Sequence, residues 1–177
     1  MIVEFRIEET DFLDFQLFTA SKSERINRKK RNGWAAITLG SLVIAAYFYL
    51  NQDNALAMYF GLVAVASAIF YPKYFIWRYK SHYTTYIREN YSKRFGQLER
   101  MEISTDFIVF SDKTGEGKVK LSEIETVNET ARHFFIAIST GGSIIIPKSQ
   151  LDNPAALKAT FTGLGLNVKD ETNWRWR

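Results

Sequence analysis

The sequence predicts an α+β membrane protein: a two-helix transmembrane hairpin with a small antiparallel β domain capped by a C-terminal helix. Three observations lead to this prediction. Two uncharged and mostly apolar runs, residues 34–50 and 55–71, are separated only by residues 51–54. Basic residues cluster on the outer side of each run. From residue 100 onward the apolar pattern changes to a period of two, which is typical of β-strands.

Residues 1–33 are expected to form a strand and then a basic helix that leads into the membrane. Residues 2–7 alternate between polar and apolar side chains, as a half-buried strand does. Thr10 can cap a helix beginning at Asp11, and this helix is expected to continue through the basic cluster into the first apolar run. The strand can join the sheet of the β domain, because both flanks of the hairpin are predicted on the same side of the membrane.

The hairpin is predicted over residues 34–77, with helices at 34–50 and 55–77. At about 1.5 Å per residue, each apolar run covers about 25 Å, near the lower limit for a hydrocarbon core of about 30 Å. Neither run carries the polar stripe of a surface helix. The alternative, a pair of core helices in a soluble domain, needs more apolar residues around them than this short chain offers. Contact between the helices is expected at Ala36–Gly40 and Ala57–Gly61.

Basic residues predict the orientation of the hairpin. Residues 51–54 contain no Lys or Arg, so the positive-inside rule predicts a multi-pass protein with both termini in the cytoplasm. Seven cations are expected to meet anionic lipid: Arg28, Lys29, Lys30, Arg31, Lys73, Arg78 and Lys80. Three aromatic residues are expected at the interfaces: Trp34, Tyr71 and Trp77. This charge pattern is not that of a nucleic-acid-binding domain, so no nucleic acid partner is expected.

The remaining segments are a basic amphipathic helix over residues 78–99, a β domain over 100–170 and a tail over 171–177. The basic helix either lies against anionic lipid or packs onto the β domain. Strands are expected at 100–104, 106–112, 116–121, 124–130, 133–139 and 142–147. Asn153 and Pro154 begin the C-terminal helix as its cap and first residue. The tail, with Trp174–Arg175–Trp176–Arg177, either presses on the bilayer or a partner or is a frayed end.

The order of these elements resembles the YcxB-like family of small bacterial membrane proteins. The β domain carries an "I-x-x-(I/V)-x-E-T" strand at Ile124–Thr130 and an "I-I-P-K" strand end at Ile145–Lys148. Where the family often has an aromatic residue shortly after the Pro-Lys pair, this sequence has Leu151. The resemblance implies a cytoplasmic β domain similar to bacterial pleckstrin-homology folds and brings no catalytic residues. Some small proteins of this kind are similar to immunity partners of secreted toxins.

No catalytic, cofactor-binding or metal-binding motif is present in the sequence. The chain has no cysteine and only two histidines, and neither His82 nor His133 has a metal-ligand spacing. The expected function is therefore a non-enzymatic integral inner-membrane protein whose β domain binds a protein partner or lipid head groups. The alternative is an immunity protein that protects the membrane from a cognate toxin, and an enzyme is the third hypothesis. The sequence leaves open whether the protein forms a homo-oligomer.

Overall fold

The computed structural model describes residues 1–176, and its fold combines helices with antiparallel sheets. The chain divides into two compact units. We call residues 1–16 together with 84–175 the β unit, and residues 17–83 together with Trp176 the hairpin unit. Arg177, the last residue of the predicted tail, lies outside the described residues.

The helices follow the prediction in number but differ in their boundaries. They are α1 (Glu9–Lys22), α2 (Glu24–Leu50), α3 (Asn54–Tyr91) and α4 (Pro154–Gly163). The expected unbroken helix from residue 11 into the first apolar run is interrupted at Ser23. Its backbone is extended, and its Oγ accepts a hydrogen bond from the Ile26 N–H at 3.4 Å, so Ser23 caps α2.

The segment 78–99 is not a separate helix. Helix α3 continues through Pro72 to Tyr91, a 3-10 turn follows at Ser92–Arg94, and the next strand begins at Leu98. A proline removes one N–H donor from a helix. The turns on both sides of Pro72 remain helical, so the helix does not end there.

The first sheet of the β unit is antiparallel and has the strand order β1-β2-β3-β4. Its strands are β1 (Ile2–Arg6), β2 (Leu98–Ile103), β3 (Phe107–Asp112) and β4 (Gly115–Lys120). Phe5 lies opposite Glu99, so the prediction that the N-terminal strand joins the β domain is confirmed. Phe5, Met101 and Ile108 are buried, and they supply the apolar side of this sheet.

The second sheet has the order β7-β6-β5-β8. Its strands are β5 (Ile124–Thr130), β6 (His133–Ile138), β7 (Ser143–Pro147) and β8 (Val168–Glu171). Strand β8 pairs in parallel with β5, and the other pairs are antiparallel. The sequence analysis did not predict β8, and Glu171, assigned to the tail, ends this strand.

Helix α4 completes the core of the β unit. Asn153 caps it as predicted, because the Asn153 Oδ1 accepts a hydrogen bond from the Ala156 N–H at 3.0 Å. Leu157 and Phe161 on α4 are fully buried, and the ring of Phe161 meets that of Phe134 on β6 edge to face, with centroids 6.0 Å apart.

The two long helices of the hairpin unit expose their apolar side chains. Both α2 and the helical stretch 54–94 are long and apolar enough to cross a membrane, and only 6% of the most apolar window of each is buried. The helices are joined by a hydrogen bond between the hydroxyls of Thr38 and Ser67 at 3.0 Å. The expected close contact at Gly40 and Gly61 is not found, because a Cβ atom added to either glycine meets nothing within 4 Å.

Candidate functional site

The predicted interface residues lie along α2 and α3 of the hairpin unit. The exposed cations among them are Arg28, Lys29, Arg31, Lys73, Arg78 and Lys80, and Lys30 is half-exposed. Trp34 and Trp77 are exposed, whereas Tyr71 is half-buried. The Tyr71 hydroxyl occupies the space that a Cβ would need at Gly33, and the Trp34 Nε1 donates to the Ala68 carbonyl at 3.3 Å. Trp34 and Tyr71 thus contribute to pairing the helices.

A groove of about 750 Å³ opens between the start of α2 and the part of α3 that follows the second apolar run. We call it the basic groove. The α2 side is formed by Ser23, Arg25, Ile26 and Lys29. The α3 side is formed by Trp77, Arg78, Tyr79, Ser81, His82 and Tyr83. All of these residues belong to the hairpin unit.

The charge of the basic groove is positive and is not neutralised by its own lining. Arg25, Lys29 and Arg78 contribute cations, and no lining residue is acidic. Within residues 1–176, the ion pairs involve none of these three side chains. The Arg78 Nη1 donates a hydrogen bond to the Tyr74 hydroxyl at 3.0 Å, which orients the guanidinium. The groove is therefore suited to an anion.

An aromatic stack supports the α3 side of the groove. The ring of Tyr79 stacks on that of the buried Phe75, with centroids 4.3 Å apart. Trp176 donates from Nε1 to the Ile76 carbonyl at 3.2 Å, and its ring centroid lies 6.3 Å from that of Tyr79. Burial, with a smaller contribution from Tyr79, raises the pKa of Tyr83 above its usual value. The Tyr83 hydroxyl is therefore a hydrogen-bond donor at neutral pH.

Three predicted interface residues line the basic groove, namely Lys29, Trp77 and Arg78. The other predicted residues are not among its lining residues: Arg28, Lys30, Arg31, Lys73, Lys80, Trp34 and Tyr71. The sequence analysis missed Arg25 and His82. A usable pattern was present, because Arg25 and Lys29 are spaced by four residues, as are Arg78 and His82. This spacing places side chains on the same face of a helix.

The two sequence motifs of the β domain form a separate cluster in the β unit. Glu129 from the strand motif pairs with Lys148 from the "I-I-P-K" motif, at 2.7 Å between Oε1 and Nζ. Thr130 accepts a hydrogen bond from the His133 N–H at 2.9 Å and so closes the turn between β5 and β6. Pro147 ends β7, an edge strand, where a missing N–H donor is tolerated. These motif residues hold strands together.

A second lysine completes the ion cluster around the buried carboxylate of Glu129. The Lys158 Nζ lies 2.7 Å from the Glu129 Oε2, and the Lys148 Nζ lies 4.7 Å from the centroid of the Phe134 ring. Burial raises the pKa of Glu129, but the hydrogen bonds and charges of the two lysines outweigh it, so this pKa lies below its usual value. The same contact raises the pKa of Lys158.

Helix α1 is attached to the β unit through His133. This side chain is buried, and its Nε2 lies 2.8 Å from the Asp11 Oδ1, while its Nδ1 lies 3.7 Å from the Asp14 Oδ2. Arg132 pairs with Asp14 at 2.5 Å. The buried ring stacks on Phe135 with centroids 5.2 Å apart, and among residues 1–176 no group of three His, Asp or Glu side chains is arranged to hold a metal ion. These contacts of His133 therefore join helix α1 to strand β6.

Comparison with known proteins identifies a family over part of the chain. The sequence model of the family described as YcxB-like protein matches residues 103–161, which extend from the end of β2 into α4. This stretch contains both motifs of the β domain, so the resemblance to the YcxB-like family is confirmed over it. No curated protein and no solved structure matches the chain.

Proposed function

We propose, from the premise that residues 103–161 are YcxB-like, that the chain is a non-enzymatic integral protein of a bacterial inner membrane. Its two long helices would cross the bilayer and anchor the β unit at the cytoplasmic face. One observation carries this proposal. The most apolar windows of these helices are only 6% buried, whereas the core helices of a soluble domain bury most of such a surface. Lipid tails would cover the exposed side chains.

The distribution of charge supports an orientation with both termini in the cytoplasm. The exposed cations Arg28, Lys29 and Arg31 precede the first apolar run, and Lys73 and Arg78 lie at the end of the second. The turn between the helices holds Asp53 and no cation. Because cytoplasmic segments carry the excess of Lys and Arg, residues 51–54 would form the tip on the opposite side.

The β unit would be related to pleckstrin-homology domains. Its two four-stranded sheets and its helix α4 support this idea, because such a domain combines two antiparallel sheets with a C-terminal helix. Strand β8, which follows α4 and runs parallel to β5, would be an addition to that plan.

The proposed role of the β unit is to bind a protein partner or lipid head groups at the membrane surface. Confinement to the surface raises the effective concentration of the domain for partners that are also there. The alternative role as an immunity protein stays a prediction from the sequence resemblance, because no contact among the described residues bears on a toxin. The identity of the partner and the formation of a homo-oligomer stay predictions, since the structure contains a single chain.

Extraction of membranes with alkaline carbonate tests the anchor. The full chain is expected to stay in the membrane pellet, because two spanning helices are not released when ionic contacts are removed. Release into the supernatant would contradict the proposal. A peripheral protein of the same membranes serves as the control for complete extraction.

Cysteine labelling tests the orientation and is simplified by the absence of native cysteine. Asn54→Cys at the turn and Ser149→Cys in the β unit both replace exposed residues. A membrane-impermeant maleimide added to intact spheroplasts is expected to label the first variant and to label the second only after lysis. The reverse pattern would contradict the cytoplasmic location of the β unit.

A further inference from the structure

The basic groove has the chemistry of a phosphate-binding site. It brings Arg25 and Lys29 of α2 toward Arg78 of α3, without a carboxylate in its lining. The hydroxyl groups of Ser23 and Tyr83 add neutral donors. We propose that this groove binds one ligand that carries two phosphate groups, and that a membrane lipid supplies them. The assignment of these phosphate groups to a lipid rests on the proposed function, in which the chain lies in a membrane.

The size of the groove favours more than a single phosphate. Its volume of about 750 Å³ lies within the range of small-molecule sites, which is about 300–1,000 Å³. Cations stand on both sides, Arg25 and Lys29 on one helix and Arg78 on the other. One phosphate would neutralise one side, whereas two linked phosphates would meet both helices.

The basic groove begins at the level of the head-group layer of a bilayer. Helical rise places Lys29 about 7.5 Å and Arg25 about 13.5 Å beyond Trp34, where the first apolar run begins. Arg78 directly follows Trp77, which is predicted to lie at the membrane interface. Because the head-group layer is about 5–8 Å thick on each side, Lys29 and Arg78 stand at its level, and Arg25 lies beyond its outer edge, from where its long side chain can extend back toward it.

The aromatic side chains give the groove a fixed wall. The ring of Tyr79 contacts the buried ring of Phe75 and the ring of Trp176, and the Tyr74 hydroxyl orients Arg78. A pre-positioned guanidinium can form two parallel hydrogen bonds with one phosphate and loses little entropy on binding. The oriented guanidinium distinguishes the groove from the exposed cations Arg28, Arg31 and Lys73, whose side chains make no ion pair within residues 1–176.

The test titrates the full chain in mild detergent and counts bound ligands by native mass spectrometry. The lipid probes are cardiolipin with two phosphates, phosphatidylglycerol with one and zwitterionic phosphatidylcholine. Inorganic pyrophosphate, titrated by calorimetry, tests for a soluble source. One cardiolipin is expected per chain, bound about 5-fold more tightly than phosphatidylglycerol, since its second phosphate adds one charge contact near the membrane surface.

Two matched triple variants separate the groove from general attraction. In the groove variant Arg25, Lys29 and Arg78 are changed to Gln, and in the control variant Arg28, Arg31 and Lys73 are changed to Gln. Both remove three exposed cations from the same helices. The groove variant is expected to weaken cardiolipin binding about 100-fold, and the control less than about 3-fold at 0.15 M salt. A third variant, with Arg25→Lys and Lys29→Arg, keeps the three charges and the oriented guanidinium of Arg78, and it is expected to retain binding.

The outcomes of these experiments test three claims separately: the phosphate site, its occupation by a lipid, and the membrane anchor. Equal losses in the two Gln variants, or no one-to-one complex with either cardiolipin or pyrophosphate, would overturn the proposal. Pyrophosphate binding as tight as cardiolipin binding, and lost in the groove variant, supports the phosphate site but assigns it to a soluble ligand. Failure of the proposed function is seen separately, because carbonate extraction then releases the unmodified chain.

Discussion

The β unit and the hairpin unit place their apolar and charged side chains in opposite ways. In the β unit, Phe134 and Phe161 are completely buried, and the carboxylate of Glu129 is paired with lysines. In the hairpin unit, Val43 is 70% exposed and Leu50 is 80% exposed. The cations of the basic groove have no ion-pair partner among residues 1–176.

This difference indicates what stabilises each unit. The β unit has its own hydrophobic core, and burial of that core is the main favourable term in its folding. The hairpin unit exposes much of its apolar surface, and Arg25, Lys29 and Arg78 of the basic groove make no ion pair within residues 1–176. The β unit is thus stabilised by contacts within the chain, whereas such contacts leave most of the apolar surface of the long helices in the hairpin unit uncovered.

The largest expected effect is the loss of a core ring in the β unit. Phe161→Ala is expected to lower the free energy of unfolding by about 3–5 kcal/mol, because it removes a fully buried ring and leaves a cavity. The matched control is Phe70→Ala in the hairpin unit, where the ring is 60% exposed and the expected loss is below about 1 kcal/mol. Thermal unfolding in detergent, followed by near-UV circular dichroism, measures both. Equal losses would mean that the two units do not differ in this way.

The ion cluster of the β unit gives the next effect. Glu129→Gln leaves Lys148 without its carboxylate in a mostly buried place, and a loss of about 2–3 kcal/mol of stability is expected. Glu125→Gln on the same strand changes an exposed carboxylate, and its effect is expected to stay within about 0.5 kcal/mol. Denaturant unfolding of the two variants provides the comparison. If Glu125→Gln is as destabilising as Glu129→Gln, the cluster has no special role.

The pH dependence of stability tests the contribution of the Glu129 ion cluster in a second way. The pKa of Glu129 is lower in the folded protein than its usual value, because the lysine contacts outweigh the effect of burial. The stability from this group is therefore fully present above its unfolded pKa of about 4.3, and it is lost as the pH falls through the lower folded pKa. Unfolding curves between pH 7 and pH 3 are expected to show a smaller loss in Glu129→Gln than in the unmodified chain. Parallel curves would exclude this contribution.

The sequence predicts those parts of the fold that depend on local periodicity. The strands at Ile124–Thr130 and His133–Ile138 lie within one residue of their expected bounds, because alternating apolar residues report a half-buried strand directly. The C-terminal helix begins at Pro154 as expected from its asparagine cap. By contrast, β8 has only four residues, so its apolar pattern is too short to recognise. It is also an edge strand that pairs with β5 alone.

The basic groove was predicted only in part, because it depends on which faces of two helices meet. Charge counting identified Lys29 and Arg78 but could not separate them from Arg28 or Lys73, which do not line the groove. The contact between Trp176 and Tyr79 joins residues far apart in the sequence, and no local pattern reports such a pair. The break at Ser23 was readable, since serine is a preferred helix cap, but the long run of helix-forming residues concealed it.

The smallest expected effect concerns the only hydroxyl pair that joins the two long helices within residues 1–176. Thr38 and Ser67 share a hydrogen bond of 3.0 Å, and its loss in Thr38→Val or Ser67→Ala is expected to cost about 0.6 kcal/mol, the average for such bonds between membrane helices. The value is small because the Ser67 hydroxyl also donates to the Ala64 carbonyl of its own helix, at 2.9 Å, and can keep that bond. A double-mutant cycle with both substitutions, measured by unfolding in mixed detergent micelles, isolates the pair. A coupling energy near zero would leave the packing of Trp34 against Ala68 and of Tyr71 against Gly33 as the contacts that hold the hairpin closed.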